Sequence, residues 1–167
     1  MSGLYEKCSA GNGINLLVYH ARRENLEQCR LIGKTGKAHS VIRVAVVVED
    51  ADCYTVGMAE NEDGDGSYLT IQCGVNDPDA QQRRLGWDTY CVMNETGGVI
   101  YGGIESASVT GRKVVLRFTD EAAAELTIAR DCEYELHADV DVEKLRVGLR
   151  HVLTYGDAAK IPPVLEV

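Results

Sequence analysis

A chain of 167 residues, 45% hydrophobic and 26% charged, can bury one core and rarely two, and that ordinary balance excludes wholesale disorder. Its net charge of −9 is uneven: residues 1–40 hold six Lys/Arg against three Asp/Glu, whereas residues 41–167 hold 11 against 23, a net of −12. A field of that sign repels nucleic acid and attracts basic proteins, so nucleic-acid binding is excluded and a basic protein partner is expected.

No apolar run approaches the ~20 residues of a membrane helix; the longest, Val44–Val48, is followed at once by Glu49, Asp50 and Asp52. The N-terminus, Met1 to Lys7, lacks the basic start and apolar stretch of a secretory signal, which predicts a cytoplasmic protein without a membrane partner. Residues 1–40 read as an appended segment. Gly11-Asn12-Gly13 marks a turn, Ile14–Tyr19 a strand, Arg22–Arg30 a short helix and Gly33–Lys37 a loop.

From Val41 onward, short strand patterns alternate with turn residues, as in antiparallel β structure. Val44, Val46 and Val48 share one face, Tyr54, Val56 and Met58 share a face in the next run, and Glu49–Asp52 joins the two as a hairpin. The polar loop Asn61–Ser67 leads to a strand over Tyr68–Val75, with Leu69, Ile71 and Cys73 pointing one way. Asn76–Gly86 reads as a polar turn region around Asp77-Pro78-Asp79. Thr89–Met93 pairs through the turn Asn94–Gly98 with Val99–Ile104, and Ser106–Val109 pairs with Lys113–Phe118.

Thr119 is placed to cap a short helix through Glu125 that buries Ala122, Ala123 and Leu126. Cys132, Tyr134, Leu136 and Ala138 alternate with polar residues as a strand. The period then becomes helical through Val142, Leu145, Leu149, Val152 and Leu153, capped by Asp139 or Asp141. Residues 156–167, with Pro162-Pro163, read as a loose tail. The predicted fold is α+β, mostly antiparallel β-sheet with a short helix and a longer C-terminal amphipathic helix, in a domain over 41–155.

The chemistry-bearing candidates are weak. Asn61, Asp63, Asp65 and Gly66 imitate the start of a calcium loop, but the twelfth position is Gln72, which lacks the bidentate carboxylate. Gly33-Lys34-Thr35 lacks the glycine five residues earlier that a phosphate loop needs. Six cysteines without a Cys-x-x-Cys pair read as reduced core thiols, and four scattered histidines offer no metal spacing, so no metal or cofactor is expected. Cys91 with His137 is the nucleophile–base pairing to test first. Trp87, Tyr90 and Tyr101, near acidic loops, are candidate interface anchors, Trp87 and Tyr90 foremost.

Several strings in order resemble one family: Asp52–Glu60, Tyr68–Gln72, Asp88–Val92, Tyr101–Ile104, Phe118–Ala123 and Leu145–Arg150. Together they resemble the immunity protein 10 family of bacterial polymorphic toxin systems, from roughly Val41 to Tyr155. The resemblance implies a mostly β domain that binds and neutralises a cognate toxin, and it implies no catalytic residues. The expected toxin-binding residues are those of the acidic loops, Glu60, Glu62, Asp63, Asp65, Asp77, Asp79 and Asp88, with Trp87 and Tyr90. The competing readings are a small-molecule-binding or regulatory β-rich module and a cysteine-dependent enzyme.

Overall fold

A computed structural model of the chain describes residues 38–63 and 66–167. The turn, strand, helix and loop expected before Ala38 lie outside the described residues.

The described strands form two five-stranded sheets. The first has the order β1 (Ala38–Ile42), β9 (Asp131–Leu136), β8 (Lys113–Phe118), β7 (Ile104–Thr110), β10 (Val164–Glu166). Its three central strands are antiparallel, and its edges β1 and β10 run parallel to their neighbours. The second is an antiparallel meander of β2 (Val44–Glu49), β3 (Cys53–Ala59), β4 (Tyr68–Gly74), β5 (Cys91–Asn94) and β6 (Val99–Tyr101). The chain passes between sheets at Arg43 and again at Gly102–Gly103, whose φ values of 75° and 85° favour glycine.

Three helices complete the described fold: α1 (Ala80–Leu85), α2 (Asp120–Glu125) and α3 (Val142–Leu153). Thr119 caps α2 and Asp141 caps α3, each side chain accepting from a backbone N–H in the first turn. α3 lies on β2, β3 and β4, where Gly148 permits close approach: a Cβ there would stand 2.8 Å from a Val47 methyl and 3.1 Å from Val56. One hydrophobic core joins the inner faces of both sheets to α3. Within it Val56, Ile71, Val92, Val114, Leu116 and Leu149 are completely buried.

The mostly antiparallel α+β architecture, the hairpins, the cap at Thr119 and the C-terminal helix are therefore as the sequence predicts. Three features differ. Asn76–Gly86 contains helix α1, opened by a capping box in which Asp79 accepts from Gln81 and Gln82 N–H while Gln82 accepts from Asp79 N–H, and ended by Gly86 at φ 76°. The sheet structure begins at Ala38, inside the segment read as an extension, because β1 pairs with β9. The stretch 156–167 is not loose: a 3-10 turn (Ala158–Lys160) precedes β10, which pairs with β7, and Val167 is only 2% exposed.

Candidate functional site

The two acidic loops lie at opposite ends of the second sheet. Glu60–Asp63 belongs to the β3–β4 connection, while Asp77, Asp79, Trp87 and Asp88 belong to the β4–β5 connection. The length of β4, Tyr68–Gly74, sets a separation of about 20 Å between them.

Within each loop the carboxylates divide by role. Glu60 closes its loop, accepting from Ser67 N–H at 3.0 Å and from the Ser40 hydroxyl of β1. Asp79 is engaged in the cap of α1. Asp88 accepts from Lys160 at 2.6 Å, and that ammonium holds its carboxyl below the usual carboxylate value. Glu62, Asp63 and Asp77 are exposed. Asp65 lies outside the described residues.

The expected aromatic anchors separate as well. Tyr90 is completely buried, and its hydroxyl oxygen accepts from Ile104 N–H at 3.1 Å, so it is a core residue and drops out as an anchor. Trp87 is 44% exposed and stacks on Tyr101 of β6, ring centroids 5.8 Å apart and planes inclined by 16°. That pair stands at one corner of the second sheet.

Strand register defines the face to which the corner belongs, because residues directly opposite in a ladder share a face. Val48, Thr55, Gln72, Cys91 and Tyr101 form one row across all five strands, on the face opposite α3. Val46, Gly57, Thr70, Met93 and Val99 form the next row. No outer-face position in these five strands carries a charged side chain. Sequence reasoning missed this face because β2 reads Val-Ala-Val-Val-Val before Glu49, apolar on both faces, and only the register shows which side α3 covers.

The thiols are poorly placed for nucleophilic chemistry. Burial pushes Cys91 and Cys73 up to about 12 and Cys132 up to about 11, so all three are protonated near neutral pH. Cys91 lies on the second sheet, whereas His137 follows β9 of the first and has its imidazole 3.0 Å from Asp139. The two are not brought together as a nucleophile and base.

Among the described residues, no three His, Cys, Asp or Glu side chains cluster as metal ligands, and no helix is long and apolar enough to cross a membrane. An open cavity of about 350 Å³ lies between Asp77, Pro78, Arg83, Asp88, Gly156 and Asp157. Its lining is mostly charged, unlike the apolar pockets that hold small organic ligands.

No curated protein matches the chain. The family model for immunity protein 10 matches residues 40–145, from within β1 into α3, and so takes in both sheets except β10. The chain belongs to the immunity protein 10 family.

Proposed function

We propose that this chain protects the cell that makes it by binding a cognate toxin, in the cytoplasm and without covalent chemistry. The family match over residues 40–145 carries the reading. Charge supports it: residues 41–167 hold a net of −12, which draws in a basic toxin and disfavours nucleic acid as a competing ligand. The protonated thiols support it also, since an inhibitor by occupancy needs no nucleophile. Glu62, Asp63 and Asp77 are the carboxylates of the two loops best placed to meet such a toxin, being exposed.

The experiment is co-expression of the full chain with the C-terminal domain of a large secreted protein encoded beside it. Restored growth is expected, together with a complex of the two that survives gel filtration. Continued cell death with both proteins present removes the reading.

A further inference from the structure

The described strands leave four sheet edges: β1 and β10 on the first sheet, β2 and β6 on the second. An open edge invites pairing with another chain, and proteins blunt their edges with shortness, proline, bulges or charge. β6 and β10 are blunted by length, with three residues each. β2 is the longest of the four, six residues reading Val-Ala-Val-Val-Val-Glu, with no proline, no glycine and no charge before Glu49. It pairs with β3 over its whole length without a shift of register, and among the described residues no strand lies on its far side.

The pairing fixes which backbone groups face outward. Asp50 N–H donates to Cys53 C=O at 2.9 Å, closing the hairpin. Hydrogen-bonded pairs alternate along an antiparallel ladder, so Val48, Val46 and Val44 also turn their N–H and C=O toward β3. Ala45, Val47 and Glu49 turn theirs the other way, toward the open edge. Apolar side chains beside that edge are uncovered on both faces of the sheet. Val48 is 39% exposed on the face opposite α3. On the other face Gly148 packs over Val47, and Val147, its neighbour on α3, is 64% exposed.

Charge selects the occupant. Between Arg43 and Arg83 the chain has nine Asp/Glu and no Lys, Arg or His. Glu49, Asp50 and Asp52, all exposed, stand where β2 turns into β3. That end of the edge attracts a basic segment, whereas the net of −12 on residues 41–167 opposes a second copy of the chain.

We propose that the toxin adds a strand to the open edge of β2. An extended segment of the toxin hydrogen-bonds to the outward N–H and C=O groups of Ala45, Val47 and Glu49. Its alternate side chains cover Val48 on one face and Val147 on the other, and a lysine or arginine meets Glu49, Asp50 and Asp52. Main-chain bonds of this kind supply affinity, and the alternate side chains supply specificity. This rests on the reading that the partner is a toxin.

The test uses the full chain and the purified toxin domain encoded beside it, with amide hydrogen exchange read residue by residue. In the free chain the N–H groups of Ala45, Val47 and Glu49 are expected to exchange fast, while those of Val46 and Val48 are protected by β3. Saturation with the toxin domain is expected to slow the first three by roughly 100-fold. Ala45→Pro removes an outward N–H without removing a bond to β3, and Val147→Asn removes an exposed apolar group. Each is expected to weaken binding by roughly 10-fold, and Val164→Asn, on β10, to bind as wild type. If Ala45→Pro does not melt cooperatively, the exchange data and Val147→Asn decide. Unchanged exchange at 45, 47 and 49 in a saturated, protective complex overturns the edge and leaves the function standing. Protection already present in the dilute free chain, which would mean cover by residues 1–37, overturns it equally, as does protection that grows with chain concentration without toxin. A wild-type chain that neither binds nor protects removes the function and this inference together.

Discussion

Lys160 donates to Asp88 at 2.6 Å and to the Gly86 carbonyl at 3.2 Å, fastening the C-terminal 3-10 turn to the segment that leaves α1. The backbone repeats the connection, with Asp157 N–H donating to Asp88 C=O at 2.8 Å and a bridge between Thr89 and Gly156. The hydrogen bond from Lys160 lowers the Asp88 carboxyl below its ordinary value. The stabilisation is therefore complete above the unfolded carboxylate value of about 3.9 and is lost as pH falls through the lower folded value. Trp87, the sole tryptophan, adjoins Asp88 and reports the change. An acid titration of its fluorescence is expected to show a step below about pH 4, absent in Asp88→Asn and in Lys160→Met. The same step in both variants would mean that another carboxylate governs it.

Tyr90 makes a second point of attachment, inside the core. Its hydroxyl oxygen is the acceptor for Ile104 N–H, the first residue after the glycine pair that carries the chain from one sheet to the other. Tyr90→Phe keeps the ring and leaves that buried N–H without its acceptor, a loss of about 1–3 kcal/mol. Urea unfolding should show a lower midpoint at unchanged slope, and toxin binding should be unaffected because the residue is completely buried. Equal midpoints for wild type and variant would show that the N–H finds another acceptor.

The features legible in the sequence are those in which one face is wet and the other dry. Val114, Leu116 and Phe118 are completely buried, and they alternate with Lys113, Val115 and Arg117, which are not, so the period alone places them. Thr119 and Asp141 announce their helices by cap chemistry. The same chemistry is present at Asp79 and Gln82, but α1 buries none of its residues, so no apolar period accompanies the cap and the segment reads as a turn. β10 is hidden for a different reason. Val164–Glu166 is a short strand, and its place beside β7 is decided by tertiary packing that follows Pro162-Pro163. The candidate site is half legible: both acidic loops and Trp87 are visible in the sequence, whereas the open edge of β2 emerges only from pairing across five strands.

Gly148 sets how closely α3 can approach the second sheet. A Cβ at this position would lie within 2.9 Å of both Val47 methyls and 3.1 Å from Val56. Val47 and Val56 are cross-strand partners, so neither can retreat without moving its strand. Helix propensity favours Gly148→Ala by about 1 kcal/mol, and overpacking of a dense core costs about 1–3 kcal/mol. A net loss near 1 kcal/mol is expected for alanine on those magnitudes, and a larger one for the branched Gly148→Val, both read from the denaturation midpoint. A stabilised alanine variant would show that α3 can lift from the sheet at little cost.

The acidic loops offer the sharpest separation of steering from packing. Asp63→Lys with Asp65→Lys at one end, and Asp77→Lys at the other, change charge without burying or uncovering the described side chains at 63 and 77, which are exposed. Each reversal is expected to slow association with a basic toxin at low salt while leaving the melting temperature unchanged, since exposed charges act mainly on the encounter rate. The ends are about 20 Å apart, beyond the Debye length of about 10 Å at 0.1 M salt. Their effects on the association rate should accordingly multiply at that salt when the two sets are combined, and should fade together near 1 M, where screening extends over only about 3 Å. Stopped-flow association across that salt range decides the matter: rates that ignore both reversals at low salt would leave the carboxylates with no part in capture, and a response to one end alone would assign the capture to that end.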